Sequence, residues 1–184
     1  MRIEETALPG VLVIESQVHP DSRGSFAERY HAARFAEHGL PTAWVQDNHA
    51  RSRKGVLRGL HFQRRRPQGK LVMVLRGAVL DVAVDVRRGS PTFGRWIAME
   101  LCEDRARSLW VPPGYAHGYC VLSDVADVLY KCTELYDPAD DRGVLWSDAT
   151  LGIAWPVAEP ILSEKDRCLA PLSAERDDLP EFVR

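Results

Sequence analysis

Residues 55–63 read Gly55-Val56-Leu57-Arg58-Gly59-Leu60-His61-Phe62-Gln63. The run is apolar and strand-like, yet it contains a cation and an imidazole three residues apart. A lone histidine in an apolar strand is more often structural than catalytic. Arginine is seldom buried without a partner, however, so the segment is also a candidate for the base and the anion-binding group of an active site.

Strict alternation along a strand would place Arg58 and His61 on opposite faces. A β-bulge at Gly59 would turn both side chains toward the same face, and bulges are common beside active sites. We therefore expect the strand to be irregular at Gly59 if the two side chains act together.

Residues 70–86 form a second informative pattern, because they divide at Arg76-Gly77 into two apolar runs. Such a division predicts a β-hairpin. With a two-residue turn at that point, Lys70 and Asp81 would lie on the same face of the hairpin. That face is either the polar wall of a pocket or a solvated surface, and the pattern alone does not choose between them.

Outside these segments, short apolar runs alternate with turns that contain glycine and proline. Strands are predicted at 10–15, 43–48, 96–101, 107–111, 115–122 and 125–136. One helix is predicted at 29–38, ended by Gly39. Many short strands with little helix favour an all-β sandwich or barrel. The prolines that follow Trp155 favour a C-terminal tail that wraps around the barrel and contains short helical turns.

Length and composition fit one globular domain at 1–184, with a barrel core at about 40–140. The chain has 184 residues, and its formal net charge of −2 gives no global basic field that would attract nucleic acid or a membrane surface. The local exception is Arg64-Arg65-Arg66, which is either a solvated turn or a phosphate contact.

The cysteines show neither a CxxC pair nor the spacing of a zinc knuckle. They are Cys102, Cys120, Cys132 and Cys168. No apolar run approaches 18 residues, and the residues after Met1 lack the pattern of a secretory signal. We therefore expect no membrane span and a cytoplasmic protein with reduced thiols.

A metal centre is the alternative chemistry for the same residues. His61 and His117 could be two of its ligands, with Gln63 or a carboxylate as the third. No His-x-His pair is present, and the cations Arg58 and Lys70 would repel a divalent ion. We therefore favour a site without metal.

Eight motifs occur in one order and spacing, at 21–28, 45–49, 55–63, 68–72, 80–94, 112–119, 129–131 and 162–166. Together they resemble the dTDP-4-dehydrorhamnose 3,5-epimerase family. The resemblance implies a jelly-roll, cupin-like barrel that forms a homodimer with strand exchange and needs no metal or organic cofactor. It is specific to the family and less specific to any one member.

The resemblance also implies a reaction, on dTDP-4-keto-6-deoxy-D-glucose in deoxysugar biosynthesis, of the rhamnose type or for an antibiotic sugar. A proton next to the C4 ketone, at C3, C5 or both, is removed and then replaced from the opposite face. His61 matches the general base and Asp166 the carboxylate paired with it. Lys70 matches the cation near the C4 oxygen, and Tyr130 matches the acid on the opposite face.

Further positions match the family's substrate-binding residues. Arg58 and Arg23 match residues that bind the diphosphate or lie close to it. Phe26 and Glu28 match positions that reach the nucleotide from the partner chain. The other matching positions are Gln46, Asn48, Tyr136 and His117, and Asp81 matches a pocket residue.

The chain departs from the family pattern without losing an implied catalytic group. Ala50 stands where serine is frequent, the loop from His61 to Lys70 is one residue shorter than in some members, and 146–150 lacks a usual proline. With these departures, the alternative stays open that the protein is a relative that inverts only C3 or only C5. Less favoured alternatives are a ketoisomerase on the same barrel and a barrel that binds sugar nucleotides without catalysis.

Overall fold

The computed structural model describes residues 1–183, which form two antiparallel sheets. The first sheet contains, in spatial order, β1 (Arg2–Glu5), β2 (Leu12–Glu15), β10 (Arg107–Val111), β7 (Lys70–Arg76), β12 (Val125–Cys132) and β5 (Gln46–Arg53). The second contains β13 (Asp141–Gly143), β6 (Leu57–Gln63), β11 (Tyr115–Val121), β8 (Ala78–Asp85) and β9 (Trp96–Cys102). The remaining elements are the hairpin of β3 (Val18–Asp21) and β4 (Gly24–Ala27), and two short helices, α1 (Ala32–Glu37) and α2 (Glu164–Arg167).

The main core lies between the two sheets, where alternate side chains of each strand point inward. Val72 and Val74 of β7 pack in one buried cluster with Val79 and Ala83 of β8. The arrangement confirms the prediction of an all-β, cupin-like jelly roll with little helix. The observed barrel extends beyond the core expected at about 40–140, because β1 and β2 belong to the first sheet.

The outer face of each sheet is covered by a different part of the chain. Phe35 of α1 packs in a buried cluster with Leu71 and Met73 on the outer side of β7. On the second sheet, Leu60 and Val84 pack with Leu151 and with the tail residues Leu172 and Leu179. The predicted wrapping tail is thereby confirmed, and it holds α2 against β6.

The predicted hairpin at Arg76-Gly77 is wrong. β7 pairs with β10 and β12, whereas β8 pairs with β11 and β9, so the turn carries the chain from one sheet to the other. Lys70 and Asp81 still both point into the space between the sheets, but they reach it from opposite walls. Both side chains are buried, so this face is not a solvated surface.

Several helix and strand boundaries differ by a few residues from the predicted ones. The helix begins at Ala32 instead of 29, and the side chain of His31 accepts a hydrogen bond from the backbone N–H of Arg34 at its start. β5 begins at Gln46 instead of 43, and β12 ends at Cys132 instead of 136. Across residues 1–183, no helix is long and apolar enough to cross a membrane.

Candidate active site

A cavity of about 450 Å³ opens between the two sheets. Its walls come from β6, β7, β11 and β12 and from the tail at 161–166. A neighbouring groove of about 250 Å³ shares His61, Lys70 and Tyr130 with the cavity. The two spaces therefore adjoin at these three side chains, and the cavity is large enough for a small ligand.

The strand irregularity predicted at Gly59 is confirmed. On β11, His117 faces His61 and Tyr119 faces Arg58, so three steps along β6 match two steps along β11. Gly59 has a φ of 111°, and the Gly59–Leu60 peptide bond is cis. Because of the register shift, Arg58 and His61 both line the cavity instead of pointing to opposite faces.

His61 is paired with a carboxylate that is distant in sequence. Its Nε2 lies 2.6 Å from Oδ1 of Asp166. Asp166 belongs to α2, where the Ser163 side chain accepts a hydrogen bond from the Asp166 backbone N–H at 3.1 Å. Main-chain hydrogen bonds between Ile161 and both Gly55 and Leu57 fix the tail beside β6. The tail thus delivers the carboxylate to the strand that carries the imidazole.

The Asp166 carboxyl is held in its ionised form despite being buried. Burial raises its pKa, but the hydrogen bond and charge of His61, with contacts from Ser163 and the Gly59 N–H, lower it by more. The net result is a pKa below the ordinary aspartate value. Among residues 1–183, nothing bonds Nδ1 of His61, which leaves this nitrogen available to a ligand. A carboxylate behind a half-exposed imidazole is the arrangement of a general base.

Lys70 brings a buried cation to the same cavity. Within the described chain, the Lys70 ammonium makes one hydrogen bond, a long one of 3.5 Å from Nζ to the carbonyl oxygen of His61. Burial lowers the pKa of this ammonium, and the negative charges of Asp141 and Asp81 offset the effect only in part. A poorly solvated ammonium of this kind interacts strongly with negative charge that develops on a bound ligand.

Tyr130 lines both parts of the site from β12, a strand of the opposite sheet from His61. Burial raises the pKa of its phenol, and the charge of Arg58 opposes that rise only in part. The phenol therefore remains protonated near neutral pH. Its position across the cavity from the imidazole suits a proton donor to the other side of a ligand.

His117 and Asp81 form a second buried pair in the wall. His117 Nε2 lies 2.9 Å and 3.0 Å from the two carboxylate oxygens of Asp81. Each histidine of the site thus has its own carboxylate on Nε2, and residues 1–183 contain no group of three side chains suited to hold a metal ion.

Polar side chains of the groove are held by one another. The Gln46 amide donates to Asn48 Oδ1 at 2.9 Å, and Gln46 Oε1 accepts from the backbone N–H of Tyr136 at 2.8 Å. The Tyr136 hydroxyl donates to Asp141 at 2.8 Å. All four residues line the groove. At the far side of the main cavity, Arg58 donates two hydrogen bonds to the Ser52 hydroxyl.

Comparison with known proteins agrees with this geometry. The family model described as dTDP-4-dehydrorhamnose 3,5-epimerase matches residues 5–174. The chain belongs to this family. The predicted resemblance is therefore confirmed, and with it the prediction that the protein is an isomerase.

Individual relatives of this epimerase cover nearly the whole chain. The dTDP-4-dehydrorhamnose 3,5-epimerase of Methanothermobacter thermautotrophicus is 50% identical over 93% of this chain and 94% of its own length. A crystal structure of dTDP-6-deoxy-D-glucose-3,5-epimerase from Legionella pneumophila Philadelphia 1, in complex with dTDP-4-keto-L-rhamnose, is 44% identical. It superposes with a TM-score of 0.95 and covers 100% of this chain and 99% of that one. A Streptomyces niveus relative named dTDP-4-dehydrorhamnose 3-epimerase is 41% identical over 96% of this chain and 86% of its own.

Three predicted binding residues of this epimerase lie outside the cavity of their own chain. Arg23 is at the tip of the β3–β4 hairpin, with Nη2 2.6 Å from the Asp21 carboxylate. Phe26 is 69% exposed on the same hairpin, and Glu28 pairs with Arg34 at 2.7 Å. The hairpin joins neither sheet and is exposed along nearly its whole length.

The basic run 64–66 is a turn at the edge of the site and lines neither the cavity nor the groove. The Asp140 carboxylate accepts from the backbone N–H groups of Arg65 and Arg66, at 2.8 Å and 2.9 Å. Arg66 also pairs with Glu134 at 2.5 Å. These contacts favour the solvated-turn interpretation over a phosphate contact in this site.

Sequence reasoning missed several residues of the site, of which three carry an ionisable group: Tyr119, Lys165 and Asp141. Tyr119 lines the cavity from β11. Lys165 also lines the cavity, and its ion-pair partner Asp141 lines the groove. Tyr119 follows His117 by two residues, so strand alternation was a usable signal for it. No local pattern pointed to the other two, because their contact depends on where the tail docks.

Proposed function

We propose that this epimerase acts on dTDP-4-keto-6-deoxy-D-glucose, inverting C3, C5 or both, within deoxysugar biosynthesis. One observation carries the proposal: the His61–Asp166 pair faces the same cavity as the Lys70 ammonium and the Tyr130 phenol. Base, enolate stabiliser and acid are the three groups that such an inversion needs.

The first half of the reaction is proton removal next to the ketone. Neutral His61 takes the proton, and Asp166 orients the ring and stabilises the imidazolium that forms. The electron pair moves onto the C4 oxygen, giving an enolate. Lys70 lies in the cavity as a poorly solvated cation, and one such donor typically lowers the barrier by about 3–4 kcal/mol.

The second half is proton return to the other face of the same carbon. Tyr130 is the proposed donor, because it approaches the cavity from the sheet opposite His61 and burial keeps its phenol protonated. Inversion follows because the proton leaves toward one wall and arrives from the other.

Substrate binding is proposed to involve two chains. Arg58 is the proposed partner of the diphosphate, a role that suits the bidentate geometry of guanidinium. Gln46, Asn48, Tyr136 and His117 are proposed to contact the rest of the ligand. Arg23, Phe26 and Glu28 are proposed to reach the site of a partner subunit in a strand-exchanged homodimer. The exposed, unpaired hairpin supports this assembly.

The deciding experiment is incubation with dTDP-4-keto-6-deoxy-D-glucose in deuterated water, followed by NMR of C3 and C5. We expect deuterium at both carbons or at one, with inverted product. Exchange at neither position, with the ligand bound, would leave a non-catalytic sugar-nucleotide-binding barrel. Movement of the carbonyl to another carbon would indicate a ketoisomerase.

A mono-epimerase is the second candidate, because the Streptomyces niveus relative is named a 3-epimerase. The same NMR experiment separates the two activities. Deuterium and inversion confined to one carbon would identify a mono-epimerase, whereas inversion at both carbons would identify the 3,5-epimerase.

We also propose that the reaction takes place in the cytoplasm and without a metal or organic cofactor. All four cysteines lie in the described part of the chain and are free thiols, as expected in a reducing compartment. The proposed acid–base chemistry uses only side chains of the protein.

A further inference from the structure

Tyr119 lines the cavity, and its hydroxyl is buried. Its ring packs in the core between the sheets, and Oη has no hydrogen-bond partner among residues 1–183. Three other buried polar atoms of the described chain are unpaired, on Arg29, Trp44 and Asp140, and none of those residues lines the site. A buried hydroxyl without a partner is costly, so an unpaired one on a side chain that lines a cavity points to a group that arrives with a ligand.

The neighbouring Ser52 hydroxyl cannot accept a hydrogen bond from the Tyr119 hydroxyl. Ser52 Oγ already accepts hydrogen bonds from Nε and Nη2 of Arg58, at 3.1 Å and 3.0 Å. A hydroxyl has two acceptor positions and one hydrogen, so Ser52 is left only as a donor. Ser52 can offer its hydrogen to Tyr119 Oη, but the hydrogen of Tyr119 still needs an acceptor from the cavity.

The Tyr119 phenol is suited to donate a hydrogen bond while it keeps its proton. Burial raises the pKa of Tyr119 to about 12, and the nearby Arg58 charge and Ser52 hydroxyl offset this rise only in part. The group is therefore neutral and protonated at any pH near 7. Tyr119 also faces Arg58 directly across β11 and β6, so the acceptor it meets is one that the guanidinium also attracts.

We infer that the Tyr119 hydroxyl donates a hydrogen bond to a phosphoryl oxygen of the bound nucleotide sugar, beside Arg58. The inference rests on the proposed function, since that function supplies the diphosphate. Tyr119 is then a substrate-positioning residue that takes no part in proton transfer.

Tyr119→Phe tests the inference by removing only the hydroxyl. We expect calorimetry to show about tenfold weaker binding of dTDP, as for loss of a hydrogen bond to a charged acceptor. For turnover of the keto-sugar we expect KM to rise about tenfold and kcat to stay within about twofold, because the contact is present before and during the reaction.

Tyr115→Phe is the matched control, because Tyr115 lies on the same strand and face. Its hydroxyl is outside the cavity and donates to the carbonyl oxygen of Pro9 at 2.7 Å. This variant should bind dTDP as the wild type does, and its Tm should fall. Tyr119→Phe should lower the Tm less, because the Tyr119 hydroxyl donates no hydrogen bond to the protein and can at most accept one from Ser52.

Unchanged dTDP affinity in Tyr119→Phe overturns this inference and leaves the proposed function standing. A drop in Tm together with a drop in kcat overturns it in favour of a purely structural tyrosine. Wild-type protein that binds dTDP but exchanges no deuterium into the keto-sugar refutes the proposed function, while the binding comparison still tests Tyr119.

Discussion

His61 has one ring nitrogen bonded to Asp166 and the other free to meet a ligand. Replacing His61 by asparagine keeps a polar side chain of similar size but removes the basic nitrogen. We expect deuterium exchange at C3 and C5 to fall by roughly 10²–10⁴-fold, the usual effect of losing a general base. Affinity for dTDP should stay close to wild type, because His61 is assigned to the sugar.

The control for this variant is His38→Asn, at the exposed C-terminal end of α1 and away from the cavity. It should exchange deuterium at the wild-type rate. If His61→Asn lost dTDP binding while its melting curve stayed normal, His61 would be a ligand-holding residue and not the base.

Lys70 gives the reaction a dependence on alkaline pH. Burial lowers its pKa below the ordinary lysine value of 10.5, so the ammonium loses its proton at a lower pH than an exposed lysine. The rate should therefore decline as pH rises, with a midpoint below 10.5. The measurement is kcat/KM across alkaline pH, because this ratio reports the pKa values of groups in the free enzyme.

Lys70→Arg should remove that decline, because guanidinium stays charged throughout the range, even if the rate at neutral pH is lower. Lys131→Arg is the control, since Lys131 pairs with Asp47 on the outside of the protein. A decline that persists unchanged in Lys70→Arg would assign the alkaline limb to another group.

At the residue scale, local pattern predicted the importance of His61 and Lys70 but not their partners. Asp166 lies 105 residues from His61, and only docking of the tail brings the two together. Only the family resemblance singled out Asp166, since spacing alone makes it an ordinary surface carboxylate. Tyr119 was open to prediction from alternation, but a tyrosine in a strand is usually a core residue.

Among the elements, β6 depends on the absence of a side chain at Gly59. A Cβ at this position would lie 2.6 Å from the carbonyl oxygen of His117 and 2.7 Å from Cα of Gly118. The φ of 111° adds strain for any residue with a side chain. We expect Gly59→Ala to lower the free energy of unfolding by about 2–4 kcal/mol, measured by urea denaturation.

Gly55→Ala separates strain from steric conflict. Gly55 also has a positive φ, of 78°, but no atom lies within 4 Å of the position of its Cβ. This control should cost about 1 kcal/mol. Equal destabilisation of the two variants would mean that the close approach of β6 to β11 is not what requires glycine.

The turn residues in the sequence predicted the ends of strands more accurately than they predicted which strands pair. The prediction for β10 at 107–111 matched the structure, because turns bound it on both sides. The turn at Gly77 had the same local signals as a hairpin, yet it connects two sheets. Pairing was not predictable there, because β7 and β8 each have two better neighbours that are distant in sequence.

For the whole molecule, the exposed β3–β4 hairpin decides whether each site is built from one chain or two. If the hairpin crosses to a partner, a chain with His61→Asn still supplies a normal hairpin, and a chain with Phe26→Ala still supplies a normal barrel. A purified heterodimer of these two chains would then contain one complete site and one site with both defects.

We expect this heterodimer to recover about half of wild-type activity at low substrate concentration, because one of two symmetric sites is intact. Each mutant homodimer should be much less active under the same conditions, His61→Asn through loss of the base and Phe26→Ala through weak nucleotide binding. The measurement is the initial rate of deuterium exchange by heterodimer isolated with two different affinity tags. If the hairpin served its own barrel, no intact site would exist in the mixture, and the rate would equal the mean of the two homodimers.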